Sequence, residues 1–194
     1  MSDKDILMKL RRQTGAGILD IKEALGESGN DEEKAIELLR KKGQKIAAKR
    51  ADREAGEGWI GSYVHANGKV AAVVKLQCET DFVARNEEFQ KLAYEIAMHI
   101  VGMSPMYVAP ADIPAEAAER ERALHAETVE KEGKPAEIAQ KIITGKLEKW
   151  YEEICLLNQK YIKDDSKTVG ELVQEASAKT GEKIEVTEFS RLQI

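Results

Sequence analysis

The dipeptide Asn67-Gly68 constrains this chain more than any other two residues. It lies between two strand-like runs, residues 59–65 and 69–78. Asn-Gly is the preferred pair for a type I′ hairpin turn, because both residues tolerate positive φ. In the second run Val70, Ala72, Val74, Leu76 and Cys78 recur at period two and share one face, the face expected to point inward. Ala71 and Val73 are apolar on the other side, so partial cover on both faces is expected.

A third strand-like run closes the sequence at residues 184–192 and is expected to join the hairpin in a three-stranded antiparallel sheet. Ile184 and Val186 fall on one face, whereas Phe189 has the opposite parity. Either a bulge or burial on both faces would account for the shift. Residues 87–103 carry Phe89, Leu92, Ala93, Ile96, Ala97, Ile100 and Val101 at helical spacing. Thr168 with Glu171 reads as a capping box for a helix to about Lys179, stopped by Gly181, with residues 164–167 before it as a loop. Residues 115–132 form a charged helix with few apolar anchors, expected to project or to pack loosely. Two further helices are expected beyond Pro135, one with Ile138, Ile142 and Ile143, the next with Leu147, Trp150, Tyr151 and Ile154.

Residues 5–43 read as three short helices. The first holds Ile6, Leu7 and Leu10 and ends near Thr14-Gly15-Ala16-Gly17. The second holds Ile21, Ala24 and Leu25 and stops at Gly26. The third starts at an Asn30/Glu33 capping box, buries Ala35, Ile36 and Leu38 or Leu39, and closes at Gly43. This is the pattern of a ubiquitin-associated-type module. Thr14-Gly15-Ala16-Gly17 lacks both a preceding strand and a following Gly-Lys-Ser/Thr, so it reads as a helix-to-helix turn and not as a phosphate loop. Residues 44–58 lose their apolar face and read as a solvated helical linker; a basic arm for RNA or an acidic partner is the alternative. The fold class is therefore α+β. Residues 1–53 form the helical module with its linker, and residues 54–194 form the core in which the sheet packs against helices.

At 194 residues the chain has room for one domain and a small module. A formal net charge of −5 argues against a general nucleic-acid binder, and no direct nucleic-acid contact is expected. No apolar run approaches the roughly 20 residues of a membrane span. The start has neither a basic n-region nor an apolar h-region. Cys78 and Cys155 lack metal-ligand spacing and cannot form a disulfide framework, so a reducing, cytoplasmic setting is expected. Enzyme constellations are scarce. His65, His99 and His125 are isolated, and His99 reads as a partly buried packing residue. There is no nucleophile elbow. Cys78 lies beside Glu79, a carboxylate that raises a thiol pKa. Glu79 and Asp81 have no cleft that would make them an acid/base pair. No cofactor, metal or catalytic residue is expected.

The stretch most open to function joins the second strand to the central helix: Cys78-Glu79-Thr80-Asp81-Phe82-Val83-Ala84-Arg85-Asn86. Connections of this kind lie on the surface and carry function on a rigid scaffold. Asn86 suits the cap of the following helix better than Asp81 does, because the apolar periodicity begins at Phe89. Phe82 reads as a presented wedge, with burial beneath that helix as the alternative.

Residues 79–86, together with Leu10-Arg11-Arg12-Gln13-Thr14-Gly15-Ala16-Gly17-Ile18-Leu19-Asp20-Ile21-Lys22, resemble the two ordered signatures of the bacterial elongation factor Ts family. Gly133-Lys134-Pro135 and Thr168-Val169-Gly170-Glu171-Leu172 are similar to its carboxy-terminal half. The resemblance implies a guanine nucleotide exchange factor for elongation factor Tu, with no catalysis by the chain itself. It implies that Thr80, Asp81, Phe82 and Val83 displace the Mg²⁺ site of the partner's nucleotide domain, and that Arg11, Ile18, Leu19, Ala84, Arg85 and Asn86 support the contact. Long members of the family carry a second core subdomain and a projecting helical hairpin, and this chain is too short for both. The resemblance therefore implies that some partner contacts are absent or supplied by a second copy in a homodimer. An adaptor without effect on nucleotide, and an RNA binder using the basic linker, are the competing readings.

Overall fold

The computed structural model describes residues 3–131 and 135–194. β1 (Glu57–Val64) and β2 (Val70–Cys78) form the hairpin, and β5 (Ile184–Gln193) pairs antiparallel with the other edge of β2, giving the order β1-β2-β5. The turn is not type I′. Only Gly68 is left-handed, at φ 68, and its N–H donates to the His65 carbonyl at 2.8 Å. The Asn67 side chain instead accepts the Lys69 N–H at 3.0 Å. A local side-chain bond has replaced the second left-handed residue.

Of the two explanations open for the parity of Phe189, β5 shows the bulge. Lys75 pairs with Glu188 but Leu76 pairs with Val186, so Thr187 is the extra residue. Phe189 then stands opposite Val74 and packs against the same core as Ile184 and Val186. Cover on the outer face of β2 is confined to its ends, where Ala71 and Gln77 are half-buried; between them Val73 is 44% exposed and Lys75 faces solvent. Ile60 and Val64 on β1 and Leu192 on β5 share this open outer face by register and are exposed too.

α5 (Glu87–Met103) covers the inner face and buries Phe89, Leu92, Ala93, Ile96, Ala97 and Ile100 against Val74, Leu76 and Cys78. Close approach depends on Gly61, where an added Cβ would stand 2.4 Å from the Ala93 carbonyl oxygen. α8 (Val169–Thr180) starts at the expected capping box: Thr168 N–H donates to Glu171 Oε2 at 2.8 Å, and Glu171 N–H to Thr168 Oγ1 at 3.1 Å. Residues 164–167, expected as a loop, belong to β4 (Asp164–Thr168), which pairs with the two-residue β3 (Lys160–Tyr161).

α1 (Asp3–Thr14), α2 (Ile18–Glu27) and α3 (Glu32–Ala48) enclose a separate core of Leu10, Ile21, Ala24, Leu25, Ala35 and Leu39. Two expected boundaries differ. Asn30, at φ 66, ends α2 by donating its N–H to the Leu25 carbonyl, and Asp31 takes over as the side-chain acceptor for Lys34 N–H at the start of α3. Gly43 does not stop α3, which runs on to Ala48 because it packs along α8; a Cβ at Gly43 would be in ordinary contact with Ala178. The linker is thus the last turn of α3 followed by bends, and the strand begins at Glu57.

α6 (Ala115–Lys131) is not loose: it packs along α7 (Ala136–Ile154) as a helical hairpin with Val129 fully buried. α7 is one helix through Gly145, not two. Gly133 and Lys134 of the resembling motif lie outside the described residues. A helical hairpin is therefore present, and among the described residues there is one three-stranded sheet. None of the described helices is long and apolar enough to cross a membrane.

Candidate partner-docking site

β2 ends at Cys78, and three residues later the chain forms α4 (Asp81–Ala84), a single turn of helix. Thr80 is its N-cap, at φ −128 and ψ 155, with Oγ1 accepting the Val83 N–H at 3.5 Å. The Cys78 thiol donates to the Thr80 carbonyl at 3.2 Å. Ala84 is buried and Val83 packs on the sheet core, which anchors one side of the turn. With 100° between successive helical residues, inward Val83 and Ala84 leave Asp81 and Phe82 on the outer side. Phe82 is 83% exposed. Asp81 pairs with Arg85 at 3.1 Å across the turn, in an ion pair open to solvent. Asn86 then caps α5, its Oδ1 accepting the Glu88 N–H at 2.8 Å.

The carboxyl of Glu79 sits below the usual carboxylate range, first because the Lys183 N–H donates to it and next because Arg53 lies against it at 3.2 Å. It ties the linker and the start of β5 to this junction, which suits a structural brace and not a proton donor. Burial, with the Glu182 carboxylate nearby, pushes the Cys78 thiol up to about 11. The direction is the one expected from sequence, but the acid responsible is Glu182 and not the adjacent Glu79. His99 is fully buried, not partly: its ring lies 3.0 Å from Gln159 Oε1, and Nδ1 accepts the Ile162 N–H at 3.2 Å.

The amino-terminal candidates sit on the other core. Leu19 is 81% exposed at the start of α2, while Ile21, Ala24 and Leu25 of that helix face inward. Ile18 and Arg11 are exposed as well. Residues 14–17 form the helix-to-helix turn, with Gly15 at φ 66 and backed by the Lys179 side chain. Residues 80–86 are contiguous, whereas Arg11, Ile18 and Leu19 belong to the three-helix bundle. What sequence reasoning missed is the support from a distance: Arg53, Lys183 and Glu182 carry no local motif, and only the fold brings them to the junction.

A three-helix bundle and a three-stranded sheet packed with helices, with an aromatic ring exposed on a braced turn, define an α+β protein. The model of the family described as elongation factor TS matches residues 6–194. Elongation factor Ts of Fervidobacterium nodosum is 50% identical over 189 residues, covering 97% of this chain and 96% of the relative. That of Leptospira biflexa is 53% identical over 185 residues, covering 95% and 93%. That of Thermosipho melanesiensis is 48% identical over 194 residues, covering 100% and 99%. The chain belongs to the elongation factor Ts family, whose members are translation elongation factors of protein biosynthesis.

Proposed function

We propose that this chain is a guanine nucleotide exchange factor which binds elongation factor Tu in its GDP form and promotes GDP release so that GTP can bind. The observation that carries the reading is the exposure of Phe82 on a turn whose other side is anchored in the core. An apolar ring held in water by a rigid scaffold has free energy to gain by entering another protein.

In this reading Asp81 and Phe82 enter between helices of the partner's nucleotide domain, with Thr80 and Val83 setting the turn that carries them. GDP is held by backbone N–H groups around its phosphates and by Mg²⁺ clamped between phosphate and protein oxygens. Close-packed interiors respond to a wedge by discrete shifts, so the ring displaces the ligands of the ion. Coupling is reciprocal: the factor weakens GDP as much as GDP weakens the factor. Each ~1.4 kcal/mol of coupling loosens the nucleotide about tenfold. Arriving GTP then ejects the factor.

Arg85 supports the contact through its pair with Asp81, and Ala84 and Asn86 by fixing the turn from beneath and behind. Arg11, Ile18 and Leu19 offer a second contact from the helical module. The separate cores support a division into residues 1–53 and 54–194. Chemistry on the nucleotide belongs to the GTPase, and the site of action is the cytoplasm. Contacts that a second subdomain makes in longer members are absent here or come from a second copy of the chain, which light scattering of the purified protein distinguishes.

The test is release of fluorescent GDP from purified elongation factor Tu with and without this protein. Acceleration is expected; an unchanged trace would refute the reading and favour an adaptor.

A further inference from the structure

Gly181 ends α8 in the left-handed conformation, at φ 82, and the turn delivers Glu182 to the junction that carries Phe82. The Glu182 carboxylate accepts three hydrogen bonds from two consecutive residues there. Oε2 takes the backbone N–H of Glu79 at 3.1 Å and of Thr80 at 3.0 Å, and Oε1 takes the Thr80 hydroxyl at 2.6 Å. The brace is reciprocated by Lys183, whose N–H donates to Glu79 Oε1 at 2.6 Å. The Glu182 carbonyl is itself held by the Ser177 hydroxyl, and Arg50 of the linker donates to the Ser177 carbonyl at 2.9 Å. Glu182 is therefore fixed at both its backbone and its carboxylate.

Physical need and geometry coincide here. Glu79 and Thr80 lie just past the end of β2, where the ladder with β5 has stopped. A one-turn helix has too few internal bonds to hold its own shape. Hydrogen bonds to a carboxylate are shorter and stronger than those between neutral groups. The Thr80 hydroxyl also gains direction: donating its proton to Glu182 leaves a lone pair for the Val83 N–H, the cap of α4.

We propose that Glu182 is the positioning residue of the Asp81-Phe82 turn, holding it in its docking conformation before the partner arrives. The proposal rests on the exchange reading above. When only a fraction of molecules hold the competent conformation, apparent affinity falls by that fraction while the bound complex is unchanged. Loss of the brace therefore acts on the concentration dependence and not on the maximal rate.

The experiment measures fluorescent GDP release from elongation factor Tu over a range of concentrations of the full chain. Glu182→Ala is expected to raise the half-saturating concentration about tenfold and to keep the maximal rate within about twofold. Glu182→Gln is expected to stay within about twofold of the parent, because its amide oxygen accepts both backbone N–H groups and its NH₂ donates to Thr80 Oγ1. A half-saturating concentration unchanged in Glu182→Ala, or a loss confined to the maximal rate, overturns the proposal. So does a Glu182→Gln variant as impaired as Glu182→Ala. If Glu182→Ala does not fold, Glu182→Asp serves, since it keeps the charge but shortens the reach by one methylene. A rise of about threefold or more is then expected, and no change overturns the proposal. Phe82→Ala is measured alongside. No acceleration by the parent chain defeats the exchange reading itself. Parent-like acceleration by Phe82→Ala defeats the docking role of the turn and the proposal with it, and slowed release by Phe82→Ala with normal Glu182→Ala defeats only the role of Glu182.

Discussion

Replacing Phe82 by alanine removes a ring that is 83% exposed in the free chain. Surface substitutions of this kind change stability by no more than about 0.5 kcal/mol, or roughly 1–2 °C in Tm for a chain of this length. The consequence for docking is larger. Burying a Phe side chain fully contributes about 1.5–3 kcal/mol. A ring that starts 83% exposed has most of that still to gain on entering a partner, about 1.2–2.5 kcal/mol. At ~1.4 kcal/mol per tenfold, the loss corresponds to roughly 8- to 60-fold slower GDP release at sub-saturating concentration. Stopped-flow release of fluorescent GDP from elongation factor Tu, chased with excess unlabelled GDP, reads this directly. Phe82→Leu keeps part of the apolar area and is expected to fall between. The reasoning is refuted if Phe82→Ala releases GDP at the parent rate, or if its Tm falls by more than about 5 °C, which would show the ring to be structural.

Asp81→Ala is expected to slow GDP release in the same assay, less than Phe82→Ala does; parent activity across a Mg²⁺ titration would count against its role at the ion. Gly61→Ala forces a methyl into the Ala93 backbone and is expected to cost about 1–3 kcal/mol or more, seen as a lower urea midpoint; a parent-like midpoint would contradict the close approach of β1 and α5. Burial holds the His99 imidazole below its usual 6.5. The unfolded chain therefore binds a proton first, and stability is full above about pH 6.5 and declines as pH falls towards the lower native value. A urea midpoint that stays flat from about pH 7.5 to 5.5 would refute this. Burial pushes both thiols, Cys78 and Cys155, up to about 11. They are expected to resist a thiol reagent at neutral pH in the native state and to react once unfolded; rapid native labelling would contradict their burial.

Periodicity made the sheet and its covering helix readable, because a face buried on one side leaves an alternating or helical trace in the chain. The parity of Phe189 left a choice between a bulge and burial on both faces, and the structure has a bulge at Thr187. Boundaries set by tertiary packing were not readable. Gly43 signals a stop, yet α3 passes through it because α8 lies alongside. Residues 160–168 look polar and loop-like, and their pairing into β3 and β4 is a matter of backbone bonds that composition does not record. The turn carrying Phe82 was legible as a surface connection. Its brace was not: Glu182 lies 102 residues from Thr80, in a segment whose own pattern says only that a helix ends.

The extra residue in the last strand makes the gene tolerant of one particular lesion. Side chains on a strand alternate, so adding or losing a residue inverts everything beyond it. Losing the codon for Thr187 would merely straighten the ladder, with Ile184, Val186 and Phe189 still inward. Losing the codon for Glu185 instead would put Thr187 in the place of Val186 and turn that valine to water. Single-codon deletions scanned along this tail should be accepted at Thr187 or Glu188, either of which removes the extra residue, and rejected at Glu185 and Val186.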